Sequence, residues 1–239
     1  MILQQNQNSL AQPLGDLLAD WEPAVRPRRE VMTGEHCRLE PVNPGKHVES
    51  LYAANNNDTE GRMWTYLPYG PFASFEQYKS WLNDVSKTDD PLFYAIIDIP
   101  SGLALGLASY LRIDVNNGCI EVGHLAYAPA LQRTIVATEA MFLMMAQAFR
   151  LGYRRYEWKC NALNSPSRRA AERLGFQYEG IFRQALVTKG RNRDTAWYSV
   201  IDKEWPALEK IYKTWLAKDN FDEHGMQRTS LSSLTRTLR

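Results

Sequence analysis

One stretch of the sequence combines a helix start, a face of small residues and a helix stop: Asn164-Ser-Pro-Ser-Arg-Arg-Ala-Ala-Glu-Arg-Leu-Gly-Phe176. Ser165 is of a residue type that caps helices, and Pro166 suits the first helical position because its missing N–H would have no partner there. Gly175 supplies the left-handed residue that commonly follows a helix end. The pattern predicts a strand over Arg155–Cys160 followed by a helix over Ser165–Leu174.

Polar groups are concentrated at the start of this predicted helix, directly after the strand. Asn164, Ser165 and Ser167 supply them. In open α/β sheets, ligands bind beyond the carboxyl ends of the strands. The segment therefore has two interpretations: it is a short helix with clear start and stop residues, or it forms one wall of a binding site.

Strand and helix patterns alternate along the rest of the chain. Strand patterns cover Cys37–Val42, Leu92–Ile99, Ala104–Ile113, Ile120–Ala126, Gln177–Ala185 and Asp194–Ile201. Helical spacing of apolar residues covers Lys46–Asn56, Ser74–Lys87, Thr134–Leu151 and Trp205–Lys218. A three-strand meander, followed by strand–helix–strand–helix–strand–strand, predicts a mixed, mostly antiparallel α/β sheet flanked by helices.

The length of 239 residues predicts one domain. Residues 1–30 are rich in Gln, Asn, Pro and Arg, which is typical of an extended arm. Residues 219–239 are polar and rich in Ser and Thr, which indicates a tail that is either disordered or docked. We expect the domain itself to occupy residues 31–218.

Charge and cysteine usage exclude several classes of partner. With 28 Lys and Arg against 27 Asp and Glu, the net charge of +1 argues against a broad grip on nucleic acid or an anionic membrane. Three widely spaced cysteines and four scattered histidines disfavour a disulfide framework and a metal site. The N-terminus lacks the basic start and apolar run of a signal peptide. We therefore predict no nucleic-acid, membrane or metal partner, and a cytoplasmic location.

A second informative segment passes from a strand into a helix: Ile120-Glu-Val-Gly-His-Leu-Ala-Tyr-Ala-Pro-Ala-Leu-Gln-Arg-Thr-Ile-Val-Ala-Thr-Glu-Ala140. A helix N-terminus presents free N–H groups and the positive end of the helix dipole, which suits a pyrophosphate. Glu121 and His124 are an odd number of residues apart, so a regular strand places them on opposite faces. The structural alternatives to a site role are a surface ion pair for Glu121 and a half-buried position for His124.

A third segment is an aromatic loop interrupted by Gly and Pro: Gly61-Arg-Met-Trp-Thr-Tyr-Leu-Pro-Tyr-Gly-Pro-Phe72. Its aromatic residues are spaced too irregularly to form one face of a helix or strand. The loop is either tucked into the core or part of an apolar recognition pocket.

Together these segments resemble the GNAT superfamily of N-acetyltransferases, and more closely its ribosomal-protein-acetylating, Rim-type branch. The resemblance extends from about Cys37 to Trp205. The motifs that carry it are Gln132-Arg-Thr-Ile-Val-Ala137, Thr138-Glu-Ala140, Asn164-x-x-Ser167…Leu174-Gly-Phe176, Gly180-x-x-Arg183 and Arg193-Asp194. Ile135 stands where the pyrophosphate loop of that family has its central glycine.

The resemblance implies acetyl-CoA as the co-substrate. The residues it assigns to acetyl-CoA are Leu125, Ala126, Tyr127, Gln132, Arg133, Thr134, Ile135, Val136, Ala137, Thr138, Asn164 and Arg168. Glu121 would accept the proton of the amine as general base. Asn164 would hold the pantetheine arm or an ordered water, and Ser167 would protonate the departing thiolate.

The resemblance also implies an acceptor pocket, whose wall the aromatic loop would form. The residues expected there are Trp64, Tyr66, Tyr69, His124, Trp158 and Asp194. The predicted function is transfer of an acetyl group to a primary amine, on a protein N-terminus or a small molecule, by a protein that forms a homodimer. A catalytically idle CoA-binding or interaction module of the same fold is the alternative, because of Ile135.

Overall fold

The protein is described here from a computed structural model covering residues 6–238. Its strands are β1 (Met32–Thr33), β2 (Cys37–Pro41), β3 (Leu92–Asp98), β4 (Ala104–Asp114), β5 (Cys119–Tyr127), β6 (Arg155–Asn161), β7 (Gln177–Thr188) and β8 (Arg191–Ile201). Its α-helices are α1 (Pro44–Asn55), α2 (Phe75–Val85), α3 (Ile135–Arg150), α4 (Ser165–Arg173), α5 (Trp205–Leu216) and α6 (Leu231–Thr235).

All eight strands belong to one sheet, in the order β1-β2-β3-β4-β5-β6-β8-β7. Every neighbouring pair is antiparallel except β5 and β6, which are parallel. A parallel pair requires a crossover connection, and α3 provides it between these two strands. The mixed, mostly antiparallel sheet expected from the sequence is confirmed.

Helices cover both faces of the sheet and bury two apolar layers. One layer packs α3, α4 and α5 onto the sheet, with Met144 and Tyr212 fully buried in it. The other layer packs α1, α2 and the aromatic loop onto the opposite face, with Leu51 and Leu82 at its centre. Removing this apolar surface from water is the main favourable contribution to folding.

Side-chain caps fix where two of these helices begin. The Ser74 hydroxyl accepts a hydrogen bond from the Gln77 N–H (3.2 Å) at the start of α2. The Thr134 hydroxyl accepts one from the Ala137 N–H (3.1 Å) at the start of α3. Each cap satisfies an N–H that the first turn of a helix leaves unpaired.

Segments at both ends of the chain lie against the domain. The Ala24 N–H donates to the Val115 carbonyl (3.0 Å) and the Val25 N–H to the Leu151 carbonyl (2.8 Å). At the other end, α6 buries Leu231 completely, and the Thr235 hydroxyl donates to the Arg173 carbonyl (3.3 Å). The sequence patterns did not predict α6, and they did not predict the two-residue strand β1.

Candidate active site

The candidate site lies where the two parallel strands separate. The ladder between β5 and β6 ends at the pair Val122–Trp158. Beyond it, β5 stays paired with β4 as far as Tyr127, and β6 stays paired with β8 as far as Asn161. The carboxyl ends of these strands lead to the N-termini of α3 and α4, so the gap has the position at which α/β sheets bind ligands.

A bulge in β5 brings His124 to the same face of the sheet as Glu121, although a regular strand would place them on opposite faces. Gly123 faces Ser109 and Ala126 faces Leu107, so β5 has one residue more than β4 over this interval. His124 lies at the bulge with a left-handed φ of 52°. Its ring packs 5.1 Å from Phe93, on the sheet face that also carries Glu121. The prediction of opposite faces was wrong because alternation holds only without an inserted residue.

The loop from Gln132 to Thr138 presents several unpaired amides. The backbone N–H groups of Arg133, Thr134, Ile135 and Val136 donate to no acceptor among residues 6–238. The left-handed residue of the loop is Arg133, with φ 63°, whereas Ile135 is the first residue of α3. Ile135 therefore does not occupy the backbone conformation that would require a glycine. Consecutive free amides at the positive end of a helix form a binding site for a phosphate.

Side chains on either side of these amides stabilise the loop. The Gln132 amide donates to the Tyr127 carbonyl (2.9 Å), which holds the loop against the end of β5. The Thr138 hydroxyl is buried and accepts a hydrogen bond from Arg173 Nη1 (3.1 Å). The second contact links α3 to α4 across the two sides of the gap.

The start of α4 differs from the predicted one by a residue. Asn164, not Ser165, caps the helix, and its Oδ1 accepts a hydrogen bond from the Ser167 N–H (3.2 Å). Ser165 is the first helical residue, so Pro166 is the second. Asn is one of the residue types that cap helices best, and Asn164 lies outside the helical backbone conformation as a cap residue does.

Two further predicted site residues on α4 have partners within the protein. The Ser167 hydroxyl accepts a hydrogen bond from the Trp158 indole (3.1 Å). The Arg168 guanidinium donates to the Tyr198 hydroxyl (3.1 Å) and to the Ala162 carbonyl (3.5 Å). Arg168 therefore lies against β8 and the end of β6.

Glu121 is buried in a network of ion pairs. Its side chain is 4% exposed, and its Oε2 accepts from Arg112 Nη1 (2.5 Å) and from Lys159 Nζ (3.0 Å). Lys159 also contacts Glu157 (2.6 Å) and lies 3.8 Å from the centre of the Trp197 ring. A surface ion pair was the structural alternative to a site role for Glu121; the ion pairs form, but the carboxylate is buried. The sequence signals missed Arg112 and Lys159, because strand pairing alone brings them to Glu121.

Aromatic side chains form a wall next to Glu121. The Tyr69 ring stacks on His124 at 5.6 Å, and the Tyr69 hydroxyl lies 3.3 Å from His124 Nδ1. Trp64 is buried and packs edge-on against Tyr69. Burial, with smaller contributions from the charges of Arg112 and Arg193, lowers the pKa of His124 to about 4. His124 is therefore a neutral imidazole near pH 7.

The aromatic loop is attached on both sides of the gap. Lys189, at the tip of the β7–β8 hairpin, donates to the carbonyls of Trp64 (2.8 Å) and Gly70 (2.7 Å). The Tyr66 hydroxyl donates to the Leu163 carbonyl (3.3 Å) in the turn between β6 and α4. Lys189 carried no sequence signal, because its partners lie more than a hundred residues away.

The structure places Trp158 and Asp194 outside this wall, so it does not bring them together with the other residues predicted for the acceptor pocket. Trp158 faces the opposite layer and packs against Phe176 at 5.6 Å. Asp194 accepts hydrogen bonds from the Gln184 N–H (2.7 Å) and the Asn192 amide (3.0 Å), and the first of these lowers the pKa of Asp194. Both side chains point away from the wall because strand residues alternate between faces.

No helix among residues 6–238 is both long and apolar enough to cross a membrane. Nor do three or more His, Cys, Asp or Glu side chains in that range converge as ligands of a metal ion.

The parallel strands separate next to an amide-rich helix N-terminus and a buried carboxylate, in the position at which α/β sheets bind ligands. A family model for the acetyltransferase (GNAT) domain matches residues 36–177. This chain belongs to the GNAT acetyltransferase family.

Solved structures and a curated relative agree with this assignment. A crystal structure of a GCN5-related N-acetyltransferase from Brucella melitensis is 49% identical, covers 92% of this chain and 100% of its own, and has a TM-score of 0.89. One of a probable GNAT acetyltransferase from Chromobacterium violaceum is 41% identical, with coverages of 82% and 98% and a TM-score of 0.76. An uncharacterized N-acetyltransferase p20 from Bacillus licheniformis is 27% identical over 59% of this chain and 80% of its own length.

Proposed function

We propose that this acetyltransferase transfers the acetyl group of acetyl-CoA directly to a primary amine, with Glu121 as general base. The observation that carries the proposal is the opening between β5 and β6, with free amides at one end and Glu121 at the other. The resemblance to the Rim-type branch stays a prediction. Homodimer formation, a cytoplasmic location and the lack of nucleic-acid or membrane partners also stay predictions.

The free amides at the start of α3 are suited to the pyrophosphate of acetyl-CoA. Arg133, Thr134, Ile135 and Val136 supply four neighbouring donors with no protein acceptor among the described residues. Past Val122, β5 has no partner on its β6 side, so Leu125–Tyr127 can bind the pantetheine arm and the thioester oxygen through the backbone. Such donors stabilise the negative charge that develops on the carbonyl oxygen during transfer.

Glu121 has one oxygen available for a proton. Arg112 and Lys159 both contact Oε2, whereas Oε1 accepts no hydrogen bond from a described residue. A water bound at Oε1 would transfer the amine proton to it, and the neutral His124 adds no positive charge that would repel a protonated amine.

Replacing Glu121 with Gln tests the general base. We expect kcat/KM at pH 7–8 to fall about 10²- to 10⁴-fold, the usual contribution of a positioned base. The measurement is thiol release from acetyl-CoA over a panel of amines, and Glu223→Gln, on an 88% exposed side chain, is the control. Full activity in Glu121→Gln would show that Glu121 is not the base.

Calorimetry with acetyl-CoA distinguishes the enzyme from an idle module. An enzyme binds acetyl-CoA and releases thiol with at least one amine. An idle module binds it without turnover, and that outcome would contradict the proposal. The idle module was considered because Ile135 stands where the family has a glycine. That reason no longer holds, because the left-handed residue of the loop is Arg133 and not Ile135.

A further inference from the structure

Arg112 contacts the Glu121 carboxylate from a bulge in β4. Between two paired positions, β4 has two residues, Arg112 and Ile113, where β5 has only Ile120. Arg112 has a left-handed φ of 49° there, which a residue with a Cβ rarely adopts. Bulges of this kind change the direction of a side chain, and Arg112 Nη1 lies 2.5 Å from Glu121 Oε2. The position of the guanidinium therefore depends on the shape of the bulge.

The carboxylate of Asp90 holds this bulge from the β3 side. Its Oδ1 accepts a hydrogen bond from the Arg112 N–H (2.8 Å), and its Oδ2 accepts one from the Ile113 N–H (3.0 Å). The β3–β4 ladder ends at the pair Leu92–Tyr110, so Asp90 lies where a longer β3 would have continued it. Because both carboxylate oxygens accept neighbouring backbone N–H groups, the two peptide planes are fixed together.

A second contact of Asp90 is weaker than these two hydrogen bonds. Arg26, in the segment before β1, has its Nη2 3.8 Å from Asp90 Oδ2, and 49% of the Arg26 side chain is exposed. Exposed ion pairs contribute little to stability, whereas hydrogen bonds from backbone N–H groups to a carboxylate are among the stronger ones. The bulge is therefore the main partner of Asp90.

Glu121 is surrounded by charged groups from several strands. The charged or titratable groups that face it are Arg112 from β4, Lys159 and Glu157 from β6, Arg193 from β8 and His124 on its own strand. Arg112 and Lys159 both contact Oε2, but the Lys159 side chain is 7% exposed and that of Arg112 is 52% exposed. A half-exposed arginine is not held by packing, so its backbone has to be fixed if it is to stay on Oε2.

We propose that Asp90 is a positioning residue for acetyl transfer: it fixes the bulge that directs Arg112 onto Oε2 of Glu121, which leaves Oε1 free for the amine proton. The proposal rests on Glu121 as the general base of the proposed function. Asp90 acts on Glu121 through Arg112 and not by direct contact.

The pH dependence of kcat/KM distinguishes this role from a direct electrostatic one. Loss of the negative charge of Asp90 would by itself favour the ionised Glu121 and move the acid limb to lower pH. Loss of the Arg112 contact disfavours the ionised carboxylate and moves the limb to higher pH. For Asp90→Ala we expect the shift to higher pH, with kcat about tenfold lower and both KM values within about twofold of wild type. Asp90→Asn keeps one acceptor oxygen, so it should show a smaller change, and it replaces the alanine variant if that protein does not fold.

A double-mutant comparison tests whether Asp90 acts through Arg112. Asp90→Ala combined with Arg112→Gln should then be as active as Arg112→Gln alone, within about twofold. Asp89→Asn is the matched control, because Asp89 is 72% exposed and pairs with Arg29 (3.1 Å), and we expect wild-type kinetics from it. Arg26→Gln should also leave the kinetics unchanged. Losses that multiply in the double variant, or an Arg26→Gln protein that reproduces the loss of Asp90→Ala, would overturn the proposal.

Carbon-13 NMR of the Glu121 carboxyl group keeps this test separate from that of the general base. The signal is assigned by its absence from Glu121→Gln and is followed through a pH titration. A titration midpoint at higher pH in Asp90→Ala than in wild type and Asp89→Asn would support the link from Asp90 to Glu121. It would do so even if Glu121→Gln kept full activity, a result that would overturn the proposed function alone. An unchanged or lower midpoint in Asp90→Ala would overturn the positioning role even if Glu121 is the base.

Discussion

Glu139 connects α3 to the edge of the sheet, and its replacement by Gln has an effect that can be estimated. The Glu139 carboxylate is buried and accepts three backbone hydrogen bonds. Its Oε1 accepts from the Glu35 N–H (2.8 Å), and its Oε2 accepts from the N–H groups of His36 and Cys37 (2.7 Å each). The turn before β2 is therefore held by one side chain from α3.

A glutamine at this position keeps one acceptor oxygen and introduces an amide donor. At least one backbone N–H then loses its acceptor at a partly or fully buried position, which costs about 1–3 kcal/mol. The remaining bonds lose their charge assistance, at about 1 kcal/mol each. For Glu139→Gln we expect the free energy of unfolding to fall by about 3–5 kcal/mol, and Tm by about 10 °C for a chain of this size.

Urea unfolding followed by circular dichroism and tryptophan fluorescence measures this change. Glu209→Gln is the matched control, because Glu209 pairs with Lys213 (2.7 Å) at a partly exposed position on α5. We expect the control to lose less than about 0.5 kcal/mol. A Glu139→Gln protein within about 1 kcal/mol of wild type, with an unchanged m-value, would refute the role assigned to these three hydrogen bonds.

Three other predictions concern the site. Trp64→Ala should raise the acceptor KM and leave the acetyl-CoA KM nearly unchanged, and steady-state kinetics showing the opposite pattern would place Trp64 on the cofactor side. Thr134→Ala removes the α3 cap, so we expect a loss of about 1 kcal/mol in urea unfolding; no loss would show that the cap does not stabilise α3. Because the pKa of His124 falls to about 4 in the folded state, the unfolded state binds its proton first as pH drops below about 6.5. The free energy of unfolding should therefore decrease by about 3 kcal/mol between about pH 6.5 and about pH 4. His124→Asn should lack this decrease. An equal decrease in the variant would assign it to other titrating groups.

Much of the fold could be predicted from the sequence, because its signals are local. Ser74 and Thr134 cap the helices that follow them, as their residue types indicate. The prediction for β7 stopped at Ala185, three residues short of its end at Thr188. Bulges at two places in β7 interrupt the alternation from which a strand is recognised.

The candidate site was predicted less completely. The family resemblance named Glu121 and the loop that begins α3, and the structure brings both to the gap beside β6. The partners of Glu121 carried no such signal, because Arg112 and Lys159 belong to β4 and β6. Trp158 was named for the acceptor pocket but packs in the opposite layer, since the sequence does not show which side of a strand meets which layer.

The sequence by itself determined the order of the strands β2–β8 and the helices α1–α5, and the family to which the motifs point. These depend on residues a few positions apart, whose interactions form within one turn of the backbone. Only the tertiary structure decided that a bulge brings His124 to the face of Glu121, and that Lys189 reaches the carbonyl of Trp64. Strand register and the closing of long loops set these contacts, so no local pattern of residues contains them.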